Sequence, residues 1–249
     1  MPTQAPREGR PGARVITRVL FTETSFGRLW YAGAIASTMR WLESLAVGVF
    51  VFDLTDSAIM VAVFLFLRWA PLVMFGAWIG VIADQVSRKG ILLGGLIAMS
   101  IVSALLGLLA VTGTVALWHI GLAAFLSGTF TSTDYSTRRT MIGEAAGTER
   151  VGVAMAFDTG TNNGTRMLGP ALGGFLLEFM GLHGAYFLGA ILYATAAFVV
   201  WRMVYLQHKP SGPAPKVLTN LIEGFRYARS EPIVVGVLSI TIIVNAFGF

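Results

Sequence analysis

Six side chains able to hold an ion or move a proton stand inside stretches otherwise built of aliphatic, aromatic and small residues: Arg40, Glu43, Arg68, Asp158, Asn162 and Arg166. An arginine surrounded by hydrocarbon costs ~2.5–3.5 kcal/mol on insertion scales, so each needs a partner or a wet cavity. Glu43 lies three residues after Arg40, a spacing that permits an ion pair along one helix. That pair has two readings of equal weight. In one, Glu43 is a protonation site and Arg40 sets its charge or holds an anionic solute; in the other the two neutralise each other structurally. Arg68 has no acid within a helical turn, so its partner must come from elsewhere, with Glu43 and Asp158 the candidates. Asp158 is the second carboxyl that could carry a proton, whereas Asp134 is expected to pair with Arg138, four residues on. Asn162, Arg166, Gly169 and Gly173 recur at spacings of four, three and four, so they share one helix face. The polar pair on that face reads as a cavity wall and the glycines chiefly as packing surface.

The elements that must position these groups are long apolar segments, over Leu29–Phe52, Ala58–Ala83, Ile91–Val111, Val115–Thr133, Val153–Met180 and Ala185–Leu206, with a seventh beginning at Ile233 and stopping at Phe249. All but the last are near the ~20 residues an α-helix needs to cross ~30 Å of hydrocarbon, and they mostly lack the polar face of a soluble helix. Composition agrees: 55% of residues are hydrophobic and 12% charged, and mean hydropathy is +0.71, against about a quarter charged in soluble domains. Cysteine is absent, which removes disulfides, thiolate nucleophiles and thiolate metal sites. His119, His183 and His208 share no ligand spacing, and no phosphate loop or nucleophile elbow occurs, so neither a metal site, a cofactor nor an enzyme is expected.

Net charge is +5 with a pI near 9.9, yet the basic residues form no single patch for nucleic acid. Apart from Arg40, Arg68 and Arg166, the other 15 of the 18 Lys and Arg fall before segment one, between two and three, between four and five, or at and beyond the end of six. The alternate connectors around Asp53–Ser57, Thr112–Thr114 and Glu178–Gly184 contain none. The positive-inside rule then places the N-terminus in the cytoplasm and returns the chain there after six crossings. Residues 1–28 read as a cytoplasmic N-terminal segment, 29–206 as a six-helix transmembrane unit, 207–232 as a proline-rich cytoplasmic loop, and 233–249 as an incomplete seventh crossing. A crossing that stops so abruptly reads as a truncated product or a piece of a longer protein. Trp30, Trp78, Trp118 and Trp201 lie near segment ends, as an interfacial belt does; Trp41 and Trp69 are deeper, where packing is favoured over a cavity lining.

A faint internal repeat relates the second segment, with Arg68, Pro71, Gly76, Gly80 and Asp84, to the fifth, with Arg166, Gly169, Pro170, Gly173 and Glu178. Inverted three-helix repeats give that correspondence; chance likeness between glycine-rich apolar sequences is the competing account.

Two motifs carry a family resemblance. Gly80-Val-Ile-Ala-Asp84-Gln-Val-Ser-Arg88-Lys89 resembles the signature between helices two and three of the major facilitator superfamily, departing from it at Gln85 and Ser87. The resemblance implies a conformational latch at the cytoplasmic face; a tight turn whose charges only set topology is the plainer reading. Gly169-Pro170-Ala-Leu-Gly173-Gly174 resembles the Gly-Pro-x-x-Gly-Gly element of export-type members, with Thr165 where a further glycine is usual. With Phe26–Trp30, Thr55–Ala58, Gly147–Arg150 and Leu221–Arg229, the chain is similar to the bacterial exporter branch that includes enterobactin-exporter-like proteins.

That resemblance implies an all-α membrane protein: a six-helix bundle of 3+3 inverted repeats plus the start of helix seven, in a cell inner membrane. Its implied partners are the lipid bilayer, a small organic substrate and a missing C-terminal half or second chain. Its implied activity is proton-coupled efflux by alternating access, the proton gradient serving as energy source. The alternative is a remnant that does not transport, or a half-transporter in need of a second half.

Overall fold

The computed structural model describes residues 13–23, 25–205 and 207, with short stretches between 226 and 240; the side chains of 13–16, 23 and 75–85 lie outside it. The readings of residues 1–12, of the loop over 208–225 and of the seventh segment over 241–249 fall outside the described residues, as do the side chains of Gly80, Asp84 and Trp78.

Every described element is helical. The order is α1 (Ala13–Glu23), α2 (Phe26–Thr55), α3 (Ala58–Gln85), α4 (Arg88–Thr112), α5 (Leu117–Ala146) and α6 (Val151–Trp201). Local chemistry sets several of the ends. Asp56 closes α2 in the left-handed conformation, its N–H donating to the Phe52 carbonyl at 2.8 Å. Ser87 opens α4, its Oγ accepting from the Gly90 N–H at 3.2 Å. Gly113, at φ 67°, closes α4. A straight α6 of 51 residues would run ~75 Å, far more than a bilayer. It breaks at Gly181, whose φ of 65° and ψ of −179° suit glycine.

The break reverses the chain. Along the first arm, Trp30, Ser37 and Trp41 of α2 meet Thr161, Asn162 and Gly169 in rising order, so the two run parallel. Along the second arm, Met39 meets Gly189 and Arg28 meets Arg202, so that arm runs opposite to α2. The second arm also lies antiparallel to α4, Gly107 meeting Phe187 and Lys89 meeting Trp201. α3 and α5 run parallel, Phe64 meeting Gly121 and Arg68 meeting Gly128. Direction therefore alternates through α2, α3, α4, α5 and the two arms of α6. Arg28, Arg88, Lys89 and Arg202 gather at one end of the bundle.

Burial is inside-out relative to a soluble protein. Ile59, Phe66 and Val73 of α3, Ile101 and Leu108 of α4, and Met167 and Phe179 of α6 are exposed, Val73 by 83%. Arg40, Glu43, Arg68, Asp134, Arg138 and Asp158 are buried. An apolar exterior over a charged interior is stable when the surroundings are lipid. α2, α4 and α6 are long and apolar enough to cross a membrane, and the described part of α3 is a shorter apolar helix over Ala58–Met74. α5 falls short of that apolarity, with His119 and several Ser and Thr in its first part and Asp134, Arg138, Arg139 and Glu144 in its second. The helix nonetheless continues to Ala146, well past the apolar edge at Thr133, because Asp134 and Arg138 turn inward. One apolar core takes α2 residues up to Leu42 and a second begins at Val47, so Arg40 and Glu43 fall where the two meet.

Candidate functional site

The buried charges form a layer drawn from four helices. Arg138 of α5 lies at its centre, 2% exposed, with its guanidinium over Gly33 of α2, where any side chain would overlap it. Its Nε donates to Asp134 Oδ1 at 3.2 Å and its Nη1 pairs with Asp158 Oδ1 from the first arm of α6. Asp134 also faces Arg40 Nη2 at 3.4 Å, and Asp158 Oδ2 faces Arg139 Nε at 3.9 Å. Arg40, Asp134, Arg138, Asp158 and Arg139 thus make one alternating chain of charge.

The expected Asp134–Arg138 pair is present, but Arg40 does not pair with Glu43. Across the gap between helices, Asp134 comes to Arg40 from α5 and Arg68 comes to Glu43 from α3, Nη1 to Oε2 at 3.9 Å. Asp158 is likewise not the partner of Arg68, being held by Arg138 and Arg139. Arg68 Nη2 also donates to the Arg40 carbonyl at 3.0 Å, and Ser127 Oγ donates to Glu43 Oε2 at 3.2 Å. The other carboxyl oxygen, Glu43 Oε1, is buried without a hydrogen bond of normal geometry. It borders a water-sized void of about 10 Å³ that Ser103 and Tyr186 also line.

On the other side of Arg68 opens a cavity of about 510 Å³. Arg40, Arg68, Asn162 and Arg166 all line it, so four of the six candidate residues share one space. Glu43 and Asp158 stand behind its wall. Trp41 and Trp69, assigned from sequence to packing, line the cavity too, with the Arg166 guanidinium 5.6 Å from the Trp41 ring centroid. Tyr135 was not singled out in the sequence; it joins the wall with its hydroxyl accepting from Arg139 Nη2 at 2.9 Å.

Close approach of α2 to the first arm sets one side of this space. A Cβ at Gly169 would lie 2.6 Å from Trp41 Cβ, and one at Gly173 3.3 Å from Leu42 Cα. At Gly174 the nearest atom is Leu45 Cδ2 at an ordinary 3.8 Å. Pro170 lies inside the helix between them. Thr165, standing where a further glycine was looked for, bonds Ser37 Oγ at 2.6 Å, and Ser37 donates to Asn162 Oδ1 at 2.8 Å. A hydroxyl pair holds the helices together there instead of a bare backbone.

At the basic end, Arg88 Nη1 meets Glu144 Oε1 at 2.6 Å, and the Arg88 N–H donates to Gln207 Oε1 at 2.9 Å. Lys89 Nζ donates to the Trp201 and Met203 carbonyls, at 2.8 and 2.6 Å, and Tyr205 bonds Glu144. The sequence showed no reason to place Glu144, Tyr205 or Gln207 here, since the segments they follow are distant in the chain. Among the described residues, no three His, Asp or Glu side chains are grouped to hold a metal ion.

Comparison with known proteins gives the family. Residues 19–248 match the family described as transmembrane secretion effector, MFS_3. The uncharacterized MFS-type transporter YfiS of Bacillus subtilis (strain 168) is 25% identical over 205 residues, 80% of this chain and 48% of that protein. The chain thus spans about half the length of the curated relative it matches. Together these findings point to a family of transporters rather than to an enzyme. Matching over nearly its whole length, the chain belongs to the transmembrane secretion effector family of major facilitator transporters, a family of multi-pass membrane proteins.

Proposed function

We propose that this chain acts as a secondary active exporter, moving a small organic molecule outward across the cell inner membrane in exchange for protons. The observation that carries the reading is the cavity of about 510 Å³ lined by Arg40, Arg68, Asn162 and Arg166 inside an apolar shell. Arg166 is exposed there. A guanidinium against acyl chains is costly, so the open side of the cavity faces water or a second set of helices. The family's description as a secretion effector supports the outward direction.

In this reading α2, α3, α4, α5 and the two arms of α6 are six crossings arranged as 3+3 inverted repeats, with the N-terminus cytoplasmic. The contacts support it: exchanging the first three helices with the last three turns the α2–first arm packing into the α5–α3 packing and returns α4–second arm to itself. Arg68 and Arg166, each shortly before a proline, are then equivalent and line the same cavity. The basic end, with Gly80, Asp84, Arg88 and Lys89, is the cytoplasmic gate.

Glu43 is the carboxyl we assign to the proton. Asp134 and Asp158 share Arg138, whereas Glu43 has one distant guanidinium and an oxygen left without a hydrogen bond. A proton on Glu43 would release Arg68 toward the cavity, linking the two ligands through one side chain. The test is flux in proteoliposomes. Export should need an imposed pH gradient, and Glu43→Gln should abolish that need while leaving exchange of substrate across the membrane. Export by the native protein without a gradient would remove the proton from the mechanism.

A half-transporter is the second reading, favoured by the length of the relative, of which this chain covers 48%. A second six-helix half, on the same or another chain, would supply the facing wall. Expression with and without such a half, followed by the same flux assay, separates the two.

A further inference from the structure

Among the described residues that line the large cavity are three guanidinium groups, of Arg40, Arg68 and Arg166, and no carboxylate. Asp134 meets Arg40 and Glu43 meets Arg68 from behind the wall, at 3.4 and 3.9 Å. Each of those contacts engages one nitrogen of a group with five N–H donors, so Arg40 and Arg68 keep donors that a solute could use. The other polar lining groups are neutral amides and hydroxyls. Two indoles complete the wall: Trp69 is half-exposed, and Trp41 carries an Nε1–H with no acceptor among the described residues. A cation entering this space meets like charge from three helices under reduced screening. An anion meets planar forks that match a carboxylate's two oxygens, and any flat ring attached to it meets an indole face. The volume is in the range that holds drug-sized molecules.

Resting on the transport reading above, we propose that the cavity selects organic anions, specifically aryl carboxylates, with Arg166 and Arg68 on the carboxylate and Trp41 and Trp69 on the ring. The guanidinia supply the discrimination: an anionic solute adds charge-assisted hydrogen bonds that a neutral solute of the same shape cannot make.

Three probes of one shape and different charge test this: naphthoate, naphthamide and naphthylmethylamine. Equilibrium dialysis uses the full-length protein in nanodiscs of zwitterionic lipid, with protein-free nanodiscs subtracted. Naphthoate should bind about tenfold tighter than naphthamide, as charge-assisted hydrogen bonds imply, and the amine weakest of the three. Arg166→Gln should lower naphthoate affinity about tenfold and change naphthamide by less than about twofold. Equal or tighter binding of the amide or the amine, or binding of none of the three, overturns the inference on the native protein alone, whatever the variant does. Proteoliposome flux separates it from the transport reading. Movement of the amine but not naphthoate keeps transport and sinks the anion; binding of naphthoate with no flux of any probe does the reverse.

Discussion

Arg138 and Arg68 are both buried guanidinia in one charged layer, and they are held in opposite ways. Arg138 has carboxylates on two sides, from α5 and from α6, and sits on a glycine that leaves no room to move. Arg68 has one carboxylate at 3.9 Å, a backbone carbonyl and a cavity. A fully partnered buried charge network fixes geometry, whereas a loosely partnered one beside a void can change partner. The first joins helices and the second is placed to respond to a ligand. Sequence position separates them only in part: Arg138 follows Asp134 by four residues and Arg68 has no acid within a helical turn, but neither fact shows the cavity beside Arg68.

The difference is sharpest under deletion. Arg138→Met leaves Asp134 with Arg40 at 3.4 Å and Asp158 with Arg139 at 3.9 Å as their remaining partners, and breaking such a network costs about 3–5 kcal/mol. The expected outcome is loss of the monodisperse peak in detergent size-exclusion chromatography and a large fall in the thermal midpoint. Adding Asp158→Asn should recover part of it by removing one stranded charge. Arg68→Met should be milder, because Glu43 can take up a proton and keep its hydrogen bond to Ser127. If both variants fall equally, the contrast between the two sites is wrong.

Glycine contacts come next. A Cβ at Gly128 would land on the Arg68 carbonyl oxygen, backbone against backbone, where nothing flexible can yield. Gly128→Ala should therefore push α3 from α5 and destabilise by about 1–3 kcal/mol, the usual range for overpacking. It should also weaken the hold of Arg68 on Glu43. Gly174→Ala makes only an ordinary contact and should be silent in the same thermal assay.

Much of this was legible in the sequence, and what was not has a common cause. Apolar runs and the placement of Lys and Arg reveal the rods and the basic end because lipid and topology act on composition segment by segment. The pairing of charges does not work that way. Arg40 reaches Asp134 across 94 positions of sequence because glycines at 33 and 128 let α5 approach α2 and α3. A reading confined to one helix found Arg40–Glu43 and missed it. The same limit hid the continuation of α5: Asp134 and Arg138 look like the end of an apolar segment until their partners on α2 and α6 are known. Trp41 and Trp69 read as packing because a sequence does not show where a bundle fails to close. At the opposite extreme, Ser87 departs from the family signature and yet works locally as the cap of α4, a role its neighbours Arg88 and Gly90 make readable.

Glu43→Gln divides the two sites by function instead of stability. The amide keeps a partner in Ser127 and removes a charge that only Arg68 opposes closely, so the thermal midpoint should shift by no more than about 1 kcal/mol equivalent. Flux should lose its response to the pH gradient. Asp158→Asn should show the converse, a clear loss of stability from weakening the Arg138 clamp, with any surviving protein still responding to the gradient.

The smallest expected effect lies at the basic end, where Arg88 and Glu144 meet at 2.6 Å with Glu144 27% exposed. Water and salt reach Glu144 although Arg88 is buried, so a double-mutant cycle with Arg88→Ala and Glu144→Ala should give a coupling of roughly 1 kcal/mol that shrinks in high salt. Its consequence for transport should exceed its consequence for stability. Arg88 also holds Gln207 and Lys89 caps the carbonyls of Trp201 and Met203, so the start of the chain beyond α6 is tied to the connector between α3 and α4. In the gate reading proposed above, this end opens, and an ion pair with one partner reached by solvent is one that water can replace. Charge reversal of both partners should therefore preserve flux, while reversal of Arg88 alone should alter its rate without changing which solute is carried. A change in solute preference would place this end of the bundle within the binding site and would undo the division between a rigid charged layer, a responsive cavity and a gate.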